Sequence, residues 1–228
     1  CALTDSPMDI ELLAQRYERI RRNVIRQANQ LFSAQGIRDV TMDDISKSLR
    51  ISKRTLYQLF NGKEGLVLAC VKQGVANDGA RRAEIERHTD DALEILFRIA
   101  EFKLNDLQGI NPNYPRELRT FPSVVAFQKE VRKEFLNSLR TFLQIGCAQG
   151  TIRPDLHFEQ ATNGLIFIVD GTALYDAFSD YTIHDFIFNV LLVFIRGCAT
   201  EKGIARIDEF IKRHRTQPLP GALLEETS

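Results

Sequence analysis

Cysteine is scarce in this chain of 228 residues, and the four cysteines present form no C-x-x-C pair. Cys70, Cys147 and Cys198 each stand alone on an apolar, helix-like stretch. This spacing predicts neither a disulfide framework nor a zinc site, and we expect buried, unreactive thiols. The four histidines are scattered, so we predict no metal site, and no motif indicates a cofactor.

A long hydrophobic run is also missing. The most apolar stretch, residues 186–195, is interrupted by Asn189 and is too short to span a bilayer. No basic segment precedes the first apolar run, so we expect no signal peptide and a cytoplasmic location. Residues 1–9 are expected to form a flexible leader.

Net charge is absent overall, because 30 basic residues balance 30 acidic ones. The distribution is uneven: residues 16–75 contain twelve Lys and Arg against five Asp and Glu, an excess of seven positive charges. Such a local excess suits a polyanion such as nucleic acid. From charge alone, a solvated basic helix face is an equally good interpretation.

The apolar residues recur with helical periodicity almost throughout, and no stretch alternates as a strand would. An all-α fold is therefore predicted. The expected helices are 16–35, 42–49, 53–60, a longer one from Lys63, 90–107, 122–150, 158–178, 184–199 and 204–214. Gly36 is expected to end the first helix, residues 109–115 to form a loop, and Pro122 to lie in the first turn of its helix.

Two short helices joined by a tight turn are predicted between residues 41 and 60. Thr41 and Asp44 form a start signal that resembles a capping box, and Ser52 is a good N-cap for the second helix. Leu49-Arg50-Ile51-Ser52 supplies the turn between the helices. This arrangement predicts a helix-turn-helix, whose second helix enters the major groove of DNA.

The exposed face of the second helix carries side chains suited to reading DNA. Lys53 and Arg54 can donate to guanine, Gln58 can pair with adenine, and the methyl group of Thr55 can touch thymine. Tyr57 can donate its hydroxyl to a phosphate, and Lys63 can clamp a second phosphate together with the start of the next helix. The predicted DNA-contacting residues are Thr41, Arg50, Lys53, Arg54, Thr55, Tyr57, Gln58 and Lys63.

The run from Thr41 to Leu66, TMDDISKSLRISKRTLYQLFNGKEGL, resembles the DNA-binding signature of the TetR family of transcriptional repressors. Two positions depart from that pattern, since family members usually have Ala at the position of Ser46 and Gly at that of Arg50. A glycine there usually adopts a positive φ, which costs another residue about 1 kcal/mol. Either the turn differs here, or the strain is tolerated because Arg50 adds a phosphate contact.

The resemblance implies three parts: a DNA-binding domain at residues 10–75, a ligand-binding and dimerisation domain at 76–215, and a flexible tail at 216–228. It also implies a homodimer formed through the last two long helices. These helices are too apolar on too many sides for the surface of a monomer, although an ordinary core helix pair is the alternative. The predicted dimer residues are Gly164, Ile168, Gly171, Tyr175, Phe186, Val190, Val193 and Phe194.

A ligand pocket is less clearly marked. The fifteen phenylalanines could line an apolar cavity or simply fill a core. Asp170 lies in an otherwise apolar helix, where a carboxylate is costly unless it is paired or beside water or a ligand. The candidate pocket residues are Phe97, Tyr114, Phe121, Phe127, Phe142, Asn163, Phe167, Asp170 and Leu174.

Together these features predict a sequence-specific DNA-binding regulator: a homodimeric repressor released from a near-palindromic operator by a small apolar or amphipathic ligand. The alternative is a DNA-binding regulator whose C-terminal domain has no small-molecule effector and serves dimerisation or protein docking. An enzyme is not expected, because no nucleophile turn, phosphate-binding glycine loop or paired-carboxylate arrangement is visible.

Overall fold

The computed structural model describes residues 7–106, 109–174 and 183–214. The helices in these residues are α1 (Pro7–Gln35), α2 (Met42–Leu49), α3 (Lys53–Phe60), α4 (Lys63–His88), α5 (Ala92–Asp106), α6 (Tyr114–Leu118), α7 (Pro122–Ala148), α8 (Phe158–Leu174), α9 (Ile183–Phe186), α10 (Leu192–Cys198) and α11 (Glu201–His214). A π-helical turn, Ile187–Leu191, joins α9 to α10. No strand occurs in the described ranges, where a single antiparallel bridge pairs Ile152 with Ala199. The predicted all-α fold is confirmed.

Several predicted helix ends agree with the structure, and others do not. Helices α2 and α3 have the predicted bounds, and Gly36 follows α1 with a φ of +93°. Helix α1 begins at Pro7 rather than Arg16, so residues 7–9 of the expected leader are helical. Helix α6 begins inside the expected loop, with Pro115 in its first turn, where a missing N–H does no harm.

The described residues divide into two compact units. One unit contains residues 7–81 and 109–133, and the other contains residues 82–106 together with those described from 134 onward. This division differs from the predicted boundary at residue 75, which falls inside the continuous helix α4. It also places α6 and the first part of α7 with the N-terminal helices. The predicted tail lies outside the described residues.

The first unit has a single apolar core beneath the two short helices. Its buried side chains come from α1 to α4, and also from α6 and α7 through Leu118 and Val124. The fully or nearly buried members are Val24, Ile25, Ala28, Phe32, Ile37, Val40, Met42, Ile45, Leu56, Phe60, Leu66, Val67, Ala69, Cys70, Leu118 and Val124. The segment after α5 therefore completes the core on which α2 and α3 rest.

The second unit has its own core, built from α5, α7, α8, α10, α11 and the π-helical turn. At its centre, the rings of Phe97 and Phe210 stack with centroids 4.5 Å apart and planes within 8° of parallel. Asp91 and Arg206 form a salt bridge at 2.9 Å. The hydrogen bonds from Arg206 hold the pKa of the Asp91 carboxyl below its ordinary value.

The cysteines agree largely with the sequence expectation. Cys70 and Cys198 are buried and Cys147 is half-buried, and all three are free thiols. Burial raises the pKa of Cys70 to about 12 and also raises that of Cys198, so neither is readily ionised to a reactive thiolate. Within the described ranges no group of His, Cys, Asp and Glu has a metal-binding arrangement, and no helix combines the length and apolarity needed to cross a membrane.

Candidate DNA-binding site

The start of α2 is a complete capping box, as predicted. The Thr41 hydroxyl oxygen accepts from the backbone N–H of Asp44 at 3.2 Å, and the Asp44 carboxylate accepts from the backbone N–H of Thr41 at 2.8 Å. The Thr41 hydroxyl also donates to Asp44 at 2.6 Å. These bonds lower the pKa of the Asp44 carboxyl, and they fix the first turn of α2.

The turn after α2 has the left-handed geometry that the sequence made doubtful. Arg50 adopts φ 54° and ψ 40°, and its N–H donates to the carbonyl of Lys47 at 3.2 Å. The N–H of Ile51 donates to the carbonyl of Ser46 at 3.0 Å. Of the two explanations for Arg50, a different turn is therefore wrong. The turn is the usual one, and a non-glycine residue bears its strain.

Ser46, the other departure, fits the close approach of the helices. Its side chain is buried, and its hydroxyl donates to the carbonyl of Asp43 at 2.9 Å. The added polar group is therefore satisfied inside its own helix, at little cost.

Helix α3 has both ends capped by its own sequence. The Ser52 hydroxyl accepts from the backbone N–H of Thr55 at 3.0 Å, and Asn61 ends the helix in the left-handed region with φ 53°. Leu56 and Phe60 are buried, which turns the opposite face outward. Arg54, Tyr57 and Gln58 are exposed there, with 52% of Tyr57 accessible to solvent. Thr55 is half-buried, and its hydroxyl lies 2.8 Å from that of Ser52, so mainly its methyl group could meet a base.

Lys53, the first residue of α3, has a partner that the sequence reading missed. Its ammonium lies 2.9 Å from the Asp43 carboxylate of α2, which also lies 3.3 Å from the ammonium of Lys47. These contacts lower the pKa of the Asp43 carboxyl, mainly through the hydrogen bond from Lys53. The expected base-reading ammonium is therefore engaged within the motif.

Lys63 begins α4 and is half-buried. Burial lowers the pKa of its ammonium, while the carboxylates of Glu117, Asp39 and Asp44 oppose that effect. The position suits a phosphate clamp, because the free N–H groups of the first turn of α4 lie beside a cation.

Gly65 is a structural requirement of the motif that the sequence reading did not single out. A Cβ at this position would lie 1.8 Å from the carbonyl oxygen of Phe60, which leaves no room for any side chain. The first turn of α4 thus packs directly on the end of α3. The signal in the sequence was a glycine in the first turn of a long helix, where glycine is otherwise unfavourable.

The predicted pocket residues are divided between the two units. Tyr114, Phe121 and Phe127 belong to the first unit, where Tyr114 and Phe121 pack on its core. Burial raises the pKa of Tyr114 to about 12. Phe97 and Phe142 pack in the core of the second unit.

Two of the four pocket residues predicted on α8 are described, and both are exposed. Asn163 is exposed and Phe167 is 81% exposed, which favours an outer surface over a cavity lining for both. The side chains of Asp170 and Leu174 lie outside what the structure describes.

Some of the predicted dimer residues are exposed to solvent. A Cβ on Gly164 would meet no atom within 4 Å, and Val193 is 59% exposed. Phe186, Val190 and Phe194 are half-buried against the second core. Tyr175 lies outside the described residues, and the structure does not describe the side chain of Ile168 or the exposure of Gly171.

Two short, capped helices joined by a left-handed turn, with a basic exposed face on the second, define a helix-turn-helix DNA-binding protein. Residues 24–70 match the family model of the tetR family of bacterial regulatory proteins, so this part of the chain is similar to the DNA-binding domain of that family. The HTH-type transcriptional regulator YvaF of Bacillus subtilis is 27% identical over 89 residues. That match covers 39% of this chain and 45% of the relative, less than half of its length.

Solved structures share the fold over most of the chain. A protein of Saccharomonospora viridis, described as a transcriptional regulator in complex with choline, is 19% identical with a TM-score of 0.58. The match covers 86% of this chain and 97% of that one. A TetR-family regulator from Cytophaga hutchinsonii is 17% identical with a TM-score of 0.59, covering 82% of this chain and 98% of that one. At these identities the likeness shows the fold.

Proposed function

We propose that this chain is a homodimeric, sequence-specific transcriptional regulator that acts at a near-palindromic operator. The observation that carries the proposal is the exposed face of α3, where Arg54, Tyr57 and Gln58 project from a helix fixed at both ends by caps. Arg and Gln are the side chains that read guanine and adenine in the major groove. Each protomer would supply one such helix to one half-site.

The homodimer is supported by the outer faces of α8 and α10. Each helix buries one side in the second core, through Leu165 and Ile195, and leaves large apolar side chains exposed on the other, Phe167 and Val193. Large exposed apolar side chains of this kind mark association surfaces. Phe167 therefore belongs with the dimer surface rather than with a pocket.

Release by a small apolar or amphipathic ligand is the finer part of the proposal. The choline complex of the Saccharomonospora viridis protein supports it, because that chain of similar fold binds a small molecule. The stacked rings of Phe97 and Phe210 favour the alternative, a C-terminal unit without an effector, since Phe97 already has a close partner. In either case we propose a cytoplasmic, non-enzymatic protein.

DNA selection with the wild-type protein tests the central claim. A random 30-base-pair library should yield duplexes with two related half-sites, bound far more tightly than random duplex, with affinity falling steeply as salt rises. Retention of random and selected duplexes with equal affinity would overturn the proposal. Choline then serves as a probe for the effector: a raised melting temperature with weakened binding to the selected duplex supports release by a ligand. Choline that raises the melting temperature without weakening DNA binding would count against release by this class of ligand.

A further inference from the structure

A buried carboxylate from α6 holds the backbone just before the helix-turn-helix. Glu117 is only 9% exposed, and its Oε2 accepts hydrogen bonds from the backbone N–H groups of Ile37 and Arg38, the second at 3.0 Å. Burial of a carboxylate is costly unless such bonds compensate it. The two N–H groups follow the end of α1 and have no helical carbonyl to donate to, so the contact satisfies both sides.

The neighbouring backbone is shaped around this carboxylate. Gly36 has a φ of +93°, and a Cβ there would lie 3.4 Å from Oε2 and 3.6 Å from Oε1 of Glu117. The backbone N–H of Asn111 also donates to the carbonyl of Ser33 near the end of α1, at 2.6 Å. Residues 111–117 thus supply partners to both the last turn of α1 and the turn that follows it.

The turn at residues 37 and 38, which Glu117 contacts, leads directly into the DNA-binding helices. Ile37 and Val40 are fully or almost fully buried on either side of Arg38, and Thr41 then caps α2. A shift of residues 37 and 38 would therefore move the first residue of α2. Because α2 packs on α3, the placement of the exposed face of α3 depends on this turn.

The segment that carries Glu117 is covalently continuous with the other unit at both ends. It follows α5 and runs into α7, and both of these helices contribute residues to the second unit. Glu117 lies 80 positions from Ile37 in the chain. The turn before α2 is therefore held by a part of the chain that the family match, residues 24–70, does not include.

We propose that Glu117 is a positioning residue for DNA binding, which sets the start of the helix-turn-helix by anchoring the N–H groups of Ile37 and Arg38. This inference rests on the proposed function. Glu117 itself contacts no DNA. Its loss should therefore misplace α3 and weaken specific binding without removing a phosphate contact.

Three variants of the full chain test the inference: Glu117→Ala, Glu117→Gln and Glu117→Asp. Glu117→Ala and Glu117→Gln both remove the charge, but only Glu117→Gln keeps an oxygen that can accept hydrogen bonds from the N–H groups of Ile37 and Arg38. Asp keeps the charge on a side chain one methylene too short to reach. We expect about tenfold weaker binding of the selected duplex for Glu117→Ala and Glu117→Asp, and a change within about threefold for Glu117→Gln.

Two further readouts separate positioning from charge and from general instability. The salt dependence of binding should be unchanged in Glu117→Asp, which keeps the negative charge that acts on Lys63 and loses no phosphate contact. Hydrogen exchange at the backbone N–H groups of Ile37 and Arg38 should accelerate in Glu117→Ala and Glu117→Asp but not in Glu117→Gln. Ser123→Ala is the matched control, because it removes a different hydrogen bond of the same unit, from the Ser123 hydroxyl of α7 to Glu64 of α4 at 2.7 Å, without changing charge.

The inference would be overturned if Glu117→Gln bound the selected duplex as weakly as Glu117→Ala, or if selected and random duplexes lost equal affinity. If Glu117→Ala does not fold, the comparison of Gln with Asp decides alone, and tighter binding by Asp would overturn it. A wild-type protein that selects no duplex would instead defeat the proposed function itself. The two failures are therefore distinguishable.

Discussion

The ammonium of Lys53 lies 2.9 Å from the carboxylate of Asp43, so an ion pair joins α3 to α2 on the exposed side of the motif. Lys47 lies 3.3 Å from the same carboxylate. Exposed pairs of this kind contribute little stability and break readily. On DNA, Lys53 can therefore exchange Asp43 for a base or a phosphate, and Asp43 itself adds an unfavourable negative charge near the duplex.

Asp43→Asn should tighten binding to DNA of any sequence. The change frees Lys53 and removes a like charge from a surface that faces phosphates, so we expect a gain of about threefold to tenfold at low salt, shrinking as salt rises. Titration of selected and random duplexes at two salt concentrations measures it. Asp155→Asn is the control, because Asp155 forms a comparable exposed pair with Arg153 in the other unit. A weaker complex with Asp43→Asn would show that Asp43 orients Lys53 productively.

Arg50→Gly should stabilise the protein. Arg50 has φ 54°, and glycine adopts this region without the steric cost of about 1 kcal/mol that a Cβ brings. Urea unfolding should show a gain of about this size. Asn61→Gly, at φ 53°, is the matched control with a smaller gain, because asparagine tolerates the left-handed region better.

The same Arg50 variant tests the predicted phosphate contact. If Arg50 binds a phosphate, Arg50→Gly should weaken all duplexes alike and lower the salt slope by about one. An unchanged slope would leave Arg50 as strain without a role in DNA binding.

Gly65→Ala should disrupt the motif, whereas Gly74→Ala in the same helix should not. A Cβ on Gly65 would lie 1.8 Å from the backbone oxygen of Phe60, while one on Gly74 would meet nothing within 4 Å. We expect a loss of at least about 2 kcal/mol for the first from forced backbone movement, and a gain approaching about 1 kcal/mol for the second from helix propensity. Urea unfolding and DNA binding check both. Similar stabilities for the two variants would contradict the close approach of α4 to α3.

The features that could be predicted from the sequence are those set within a few residues. The caps Thr41 and Ser52 act three positions along the chain, so the bounds of α2 and α3 follow from local chemistry. The contact of Glu117 with Ile37 spans 80 positions and has no local signal. Helix α6 was missed for a related reason, because its five residues include a proline and are held by packing on the first core.

The pocket and dimer assignments show a second limit of sequence reasoning. The sequence prediction assigns Phe167 to the pocket and Gly164 to the dimer face of α8, yet residues three positions apart share one side of a helix, and both are exposed. The spacing of residues along a helix shows which of them share a face. It does not show which face the rest of the protein covers. That choice depends on tertiary contacts such as those of Leu165.

Phe167→Glu and Val193→Glu should each convert the protein to a monomer. These two side chains are 81% and 59% exposed, so the charge costs the protomer little, but at a dimer interface it would be buried without a partner. Sedimentation equilibrium should show a dimer for the wild type and a monomer for both variants, with unchanged melting of the isolated protomer. Binding to a duplex with two half-sites should fall towards that for one half-site, since the two recognition helices are no longer linked. Ile145→Glu is the control, because Ile145 is 40% exposed on α7, a helix that is not part of the proposed interface, and the change should leave the dimer intact. A monomeric wild type, or dimers that persist in both variants, would show that α8 and α10 do not form a dimer interface. The exposure of Phe167 would then need a different explanation.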